Sequence, residues 1–309
     1  MKVLVGDPGF DLRRVRELLD GLGVDVVRGE APWHGDDVVG LLVGTDVGVG
    51  RRDLERLPAL RVVATCSVGY DHVDLEEAGR RGVRVCHVPD YCVDEVADHS
   101  LALVLALLRG VVELDRSVRA GRWDWKAAGS LRRARGTRLG IVGFGRIGRA
   151  LAERGCALGF EVWATDALIP DETIAAAGVR PAGLADLLAA CEAVSLHVPL
   201  TAETETLIGE AELACMPSGA VLVNTSRARL VDVGALVRAL ANGRLGGAAL
   251  DVLPVEPPTA DRPPPEAPRL VLTPHAAWYS AEAEEAAYRR PVEAVRAVLE
   301  GREPDGAVR

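Results

Sequence analysis

Four residues in the second half of the chain have the types that proton transfer on a small anion requires: Arg227, Asp251, Glu256 and His275. Each stands at or just past a strand-like run. Arg227 follows "AVLVNTS", Asp251 ends "GAALD", Glu256 comes five residues later in a loop, and His275 follows "RLVLTP". Histidine titrates near neutral pH and can both give and take a proton. A carboxylate on its other ring nitrogen would favour the imidazolium and fix the ring. Arginine can hold a carboxylate by a bidentate fork and polarise the neighbouring carbonyl. Taken singly, each residue has a plainer alternative. His275 could be a hydrogen-bonded structural ring, Arg227 a helix-cap ion pair, Glu256 a solvated loop charge and Asp251 a turn cap. No metal is expected, because His34, His72, His87, His99 and His197 show no ligand spacing with His275.

What must position such a set lies upstream, in "RLGIVGFGRIGRALAERGCALGFEVWATD". Gly143, Gly145 and Gly148 form G-x-G-x-x-G directly after a strand and at the start of a helix, with Phe144, Arg146 and Ile147 completing the turn. Gly143 allows the tight turn, Gly145 lets a pyrophosphate approach the backbone, and Gly148 lets helix pack on strand. The helix N-terminus offers free N–H groups and a positive dipole end to phosphates. Ile147, Leu151 and Leu158 form the apolar stripe predicted for this helix. Asp166 ends the next strand, 18 residues after Gly148. It can accept hydrogen bonds from both ribose hydroxyls and would repel a 2′-phosphate, so NAD (NADH) is favoured over NADP. Arg146 could be read as a 2′-phosphate binder, but its place in the turn suits the pyrophosphate better. Open α/β sheets bind ligands at the carboxyl ends of their strands. That is where Arg227, Asp251 and His275 stand.

The whole chain fits that frame. Its 309 residues suggest two domains, and 49% hydrophobic residues are enough for sizeable cores. A net charge of −9 argues against non-specific nucleic-acid binding. The amino terminus does not read as a signal peptide, and no apolar run is long enough for a membrane span. Six scattered cysteines without a CxxC pair read as reduced cytoplasmic thiols, with Cys66, Cys156 and Cys191 placed in the core. Short strands, "KVLVG", "DVVGLLVG", "LRVVATCS" and "VRVCHVP", alternate with amphipathic helices, and the rhythm restarts at "LGIVG". The fold class is therefore α/β, with two doubly wound parallel-sheet domains. Between the sets, "DEVADHSLALVLALLRGVVELDRSVRAGRW" predicts one long helix beyond 25 residues. "PVEPPTADRPPPEAP" is a proline-dense loop. The last segment predicts a helix broken at Pro291 that returns to the first domain.

The motifs "SVGYDHVD", "GVRVCHVPDYCVDEVADHSLALVLALLR", "GIVGFGRIGRALAERGCALGFEV", "SLHVPLTAETETLI", "MPSGAVLVNTSRARLVD", "GAALDVLPVEPP" and "LTPHAAWYS" cover nearly the whole chain. In this order they resemble the D-isomer-specific 2-hydroxyacid dehydrogenase family. The resemblance implies a flavodoxin-like substrate domain of residues 1–97 and 277–309 with an NAD-binding Rossmann domain, 98–276, inserted. It implies His275 as acid/base, Glu256 as its partner and Arg227 as the substrate-binding arginine. Val68 and Gly69 match the loop whose amides hold the substrate carboxylate. Asp251 matches the residue that positions the nicotinamide. Val96, His197, Val198, Pro199, Thr201, Thr204, Thr225, Ser226 and Ala277 match further cofactor contacts. "HAAWYS" is closer to one branch, the C-terminal binding proteins, which are dehydrogenase-like corepressors; Trp278 then selects a hydrophobic side chain, or else simply packs at the domain seam. Two positions depart from the family: Ala228 stands where glycine is frequent, and Val233 where an acidic residue is. The implied protein is a cytoplasmic homodimer interconverting a D-2-hydroxy acid and a 2-oxo acid. The alternatives are an NAD(H)-sensing corepressor-like protein and a phosphite or phosphonate dehydrogenase.

Overall fold

Strand β1 (Lys2–Val5) sends Val3 and Val5 into one core and Leu4 into another. That period-two alternation marks a sheet covered on both faces. In a computed structural model, which describes residues 1–45 and 47–308, the chain divides into two units, 1–91 with 280–309 and 92–279.

The first unit adds β2 (Asp25–Arg28), β3 (Val38–Val43), β4 (Val62–Thr65) and β5 (Arg84–Cys86) to β1, all parallel, in the order β2-β1-β3-β4-β5. This is the flavodoxin-like order 2-1-3-4-5. Helix α1 (Leu12–Leu18) starts at Asp11, whose side chain accepts from the Arg13 amide. Helices α2 (Arg51–Glu55) and α3 (Leu75–Arg80) pack against each other on the opposite face from α1. The final helix, α11 (Ala281–Leu299), packs on β3 and β4 and so belongs to this unit. It does not break at Pro291. The proline sits buried inside a continuous helix, with Ala287, Val292, Val295 and Val298 buried around it. The packed face offsets the hydrogen bond that proline removes.

In the second unit, α4 (Val93–Arg109) and α5 (Val111–Arg119) replace the single long helix expected from the sequence. Gly110 ends α4 in a left-handed conformation, φ 58°. A Cβ there would fall on Ala128 and press on Leu131, so the position combines a turn with a close approach. Strands β6 (Arg138–Val142), β7 (Glu161–Thr165), β8 (Arg180–Pro181), β9 (Ala193–Leu196), β10 (Ala220–Asn224), β11 (Leu245–Leu250) and β12 (Leu270–Leu272) form one parallel sheet in the order β12-β11-β10-β9-β6-β7-β8. Counted from β6, this is the doubly wound order 3-2-1-4-5-6 with one further strand. The order of strand addition reverses beside β6, between β6 and β9, where the glycine turn leaves the sheet. Helix α6 (Arg146–Ala157) buries Gly148, Leu151, Ala152 and Gly155, whereas Leu158, expected in its stripe, is exposed beyond its end; α7 (Asp171–Ala176), α8 (Leu184–Ala190), α9 (Glu210–Cys215) and α10 (Val233–Ala241) follow in this unit. Cys191 is buried as expected, but Cys156 is exposed and Cys66 only partly covered. No helix among the described residues is long and apolar enough to cross a membrane.

Candidate active site

Each of the three glycines in the turn after β6 meets a different demand. Gly143 has φ 100°, and a Cβ on it would lie 2.6 Å from the backbone of His197. A Cβ on Gly148 would fall on the carbonyl oxygen of Gly143. Gly145 is different: its φ is an ordinary −71°, and a Cβ would meet nothing within 4 Å. Neither strain nor packing calls for glycine there, so the open space itself does. It fits the approach of a pyrophosphate to the amino end of α6.

Asp166, just past β7, braces this turn. Its Oδ2 accepts from the Phe144 amide at 2.7 Å, and its Oδ1 accepts from the amides of Leu168 and Ile169 at 2.8 and 3.1 Å. A carboxylate has about four acceptor positions, so capacity remains for a ribose hydroxyl. The Phe144 ring is buried, while Arg146 is exposed and Ile147 half-buried. Past β9, the His197 amide donates to Val142, and its Nε2 lies 2.8 Å from Ser195 Oγ. Burial pushes this imidazole down to about 4, so it is neutral at physiological pH. The following loop braces itself: the Thr201 amide donates to Thr204 Oγ1, which donates to the Pro199 carbonyl at 2.7 Å. Val198 is half-buried beside it. Thr225 is buried and bonded through its hydroxyl to Ser100 on α4, 2.9 Å away; Ser226 donates to the Leu196 carbonyl at 2.7 Å. Val96 is buried on the same helix α4.

The second unit brings His275, Glu256, Asp251 and Arg227 to adjacent strand ends. His275 Nδ1 lies 2.6 Å from Glu256 Oε2, with both side chains about one-third exposed or less. The other Glu256 oxygen accepts from the Leu253 amide at 2.6 Å. The hydrogen bond to Glu256 raises the His275 pKa against the opposing effect of burial, and the charges of Glu256 and Asp251 add to the rise. Burial pushes Glu256 up, but the bonds from His275 and Leu253 and the positive charges of His275 and Arg227 outweigh it and hold the carboxyl below its usual range. Arg227 is half-buried, and its Nη1 donates to the Ser226 carbonyl at 2.8 Å; Asn224 holds its backbone carbonyl at 2.8 Å.

Asp251 does more than the sequence suggested. It is fully buried, and its backbone oxygen accepts from the His275 amide at 2.8 Å. Its carboxylate accepts from the Ala276 and Ala277 amides, each at 2.9 Å, and from the Thr273 hydroxyl at 2.5 Å. Those bonds hold the turn in which His275 adopts φ 53°, uncommon for a residue with a side chain. His99 of α4 completes the arrangement, with Nε2 3.2 Å from Thr273 Oγ1 and 3.8 Å from Asp251 Oδ1. Because the Thr273 hydroxyl gives its proton to Asp251, His99 must donate through Nε2. His99, Thr273 and Ser100 were not singled out from sequence. His99 lies 174 positions from its partner, and no spacing reveals such a contact. Trp278 is half-buried and meets Tyr279 edge-on, ring centroids 5.6 Å apart. In the first unit, the Val68–Gly69 segment follows β4; the Val68 carbonyl accepts from His87, and Gly69's from Ser67. Among the described residues no group of three or more His, Cys, Asp or Glu could hold a metal.

Comparison with known proteins places this geometry. The family model "D-isomer specific 2-hydroxyacid dehydrogenase, NAD binding domain" matches residues 101–277. The glyoxylate reductase of Korarchaeum cryptofilum is 43% identical over 231 residues, covering 74% of this chain and 70% of that one. The chain belongs to the D-isomer specific 2-hydroxyacid dehydrogenase family. The glyoxylate reductase of Thermofilum pendens is 37% identical over 268 residues, 82% of this chain and 76% of that one. The crystal structure of D-lactate dehydrogenase from Aquifex aeolicus, complexed with NAD and lactic acid, superposes with a TM-score of 0.89 at 27% identity, covering 97% and 96% of the two chains. Family membership makes this chain a 2-hydroxyacid oxidoreductase that uses a nicotinamide cofactor, in agreement with the open approach at Gly145.

Proposed function

We propose that the chain is an NADH-dependent reductase of small 2-oxo acids, glyoxylate first among them, with His275 as the proton donor. The observation that carries this reading is the 2.6 Å contact between His275 Nδ1 and Glu256, beside the charge of Arg227. The second unit, 92–279, is the cofactor domain, slightly longer at both ends than the 98–276 expected from the resemblance, and the first, 1–91 with 280–309, is the substrate domain. Gly143–Gly148, Asp166 and the 197–204 loop hold the adenosine and phosphate half; Val96, Thr225, Ser226, Asp251 and Ala277 hold the nicotinamide half. When bound, the reduced nicotinamide supplies a hydride to the substrate carbonyl carbon. His275, whose protonated form Glu256 favours, gives its Nε2 proton to the carbonyl oxygen, and oxidation of the hydroxy acid reverses that transfer. Arg227 and the Val68 and Gly69 amides hold the substrate carboxylate, and Trp278 limits its side chain. The negative Asp166 disfavours a 2′-phosphate and hence NADPH. The enzyme acts in the cytoplasm as a homodimer.

A screen of glyoxylate, hydroxypyruvate, pyruvate and 4-methylthio-2-oxobutyrate with NADH and NADPH tests the reading. Turnover of glyoxylate with preference for NADH is expected. Tight NADH binding without turnover of any 2-oxo acid would contradict it and favour a cofactor-sensing role.

A further inference from the structure

His87 takes no part in the chemistry above, yet it governs a peptide that the reading uses. Its Nδ1 lies 2.8 Å from the Val68 carbonyl oxygen. A carbonyl only accepts, so Nδ1 carries the proton. The Val68–Gly69 peptide is trans, since the cis bonds lie elsewhere. In a trans peptide the N–H points opposite to the C=O. Holding the Val68 carbonyl therefore aims the Gly69 N–H away from His87. Ser67 fixes the next peptide by donating to the Gly69 carbonyl at 2.5 Å, and the Tyr70 ring closes edge-on over His87, centroids 5.0 Å apart.

His87 is itself clamped. Its backbone amide donates to the Gly306 carbonyl at 2.9 Å, Cys86 pairs with Ala307 in an antiparallel bridge, and the Val308 amide donates to Val85 at 2.8 Å. Gly306 has φ 69°, and a Cβ there would fall on the His87 carbonyl oxygen. Arg290 of α11 binds both Asp90 and Asp305, pinning this segment from the other side. These attachments hold the His87 backbone, while the bond to Val68 and the Tyr70 ring are what hold its imidazole.

We propose that His87, clamped by residues 305–308, is the positioning residue that aims the Gly69 N–H at the substrate carboxylate; this rests on the reading of Val68–Gly69 as the carboxylate loop. The clamp makes a segment more than 200 positions away in sequence a determinant of substrate affinity. The test compares His87→Leu, which removes the donor, with His87→Asn, whose Nδ2 stands the same number of bonds from the backbone as Nδ1. His87→Leu is expected to raise the KM for glyoxylate about tenfold, the usual cost of a misplaced hydrogen-bond donor, with kcat and NADH affinity within about twofold. His87→Asn should return KM to within about threefold of the native value. Gly306→Val, which pushes the clamp off His87 without touching a donor, should raise KM alone and serves if His87→Leu does not fold. Arg227→Gln, run alongside, tests the underlying reading. Unchanged KM in His87→Leu and Gly306→Val beside a raised KM in Arg227→Gln overturns the proposal and leaves that reading standing. Unchanged KM in all three overturns both. Equal losses of kcat, KM and NADH binding that His87→Asn does not restore make His87 merely structural and overturn the proposal too.

Discussion

His275 and Glu256 shift each other in opposite directions. The histidine holds its proton to a higher pH than usual, and the glutamate gives its proton up at a lower one. The stability His275 contributes is complete below its unfolded pKa and fades as pH rises through the raised folded value; that of Glu256 is present above its unfolded pKa and fades as pH falls through the lowered one. Between those limits the ion pair is intact. On the proposed reading reduction draws its proton from the His275 imidazolium, so its rate should fall as pH rises through the His275 value, while oxidation should rise over the same range. Glu256→Gln removes the main cause of the raise, and the alkaline limb of kcat/KM for reduction should move to lower pH. An unmoved limb would mean that Glu256 does not set the titration. Arg227, Asp251, Glu256 and His275 were legible as residues because strand ends flank them. The resemblance named Glu256 as the partner of His275, but the bonds from Asp251 to the turn that carries His275 were not legible, nor were those of His99, Thr273 and His87.

Asp251 ends β11 and serves β12. Its side chain ties down the turn from Thr273 to Ala277, so His275 is held by an element other than its own. Asp251→Asn replaces one accepting oxygen with an N–H₂ that faces donors. The expected loss of unfolding free energy is about 1–3 kcal/mol for the bonds left unmade, and kcat should fall with it. A variant as stable and as active as the native chain would show that the turn holds itself. Continuous apolar strands such as β3 and β10 were readable because burial on both faces leaves no polar alternation. Edge strands β2 and β8 were not, being short and half exposed. The long helix was mislaid by its apolar run, which continues across Gly110; only the left-handed turn, set by packing on Ala128, divides it.

Each unit carries its own covered sheet, and the strand orders follow from crossovers that the βα rhythm implies but does not number. The fold class and the glycine turn were therefore legible in the sequence, while the order of strands and the brace from Asp166 to Phe144 are set by contacts that only the folded chain makes. A cofactor that binds only the folded chain stabilises it by mass action, about 2.7 kcal/mol at a hundredfold excess over Kd. NADH at that excess should raise Tm clearly, and NADPH at the same concentration should raise it less on the proposed reading, in which Asp166 opposes a 2′-phosphate. Equal shifts would remove Asp166 as the selector. The central claim is the proton carried by His275, and His275→Gln measures it directly through glyoxylate turnover together with NADH titration. The expected result is a fall in kcat of about 10²- to 10⁴-fold with NADH affinity unchanged; turnover retained, or cofactor binding lost in step with it, would contradict the account.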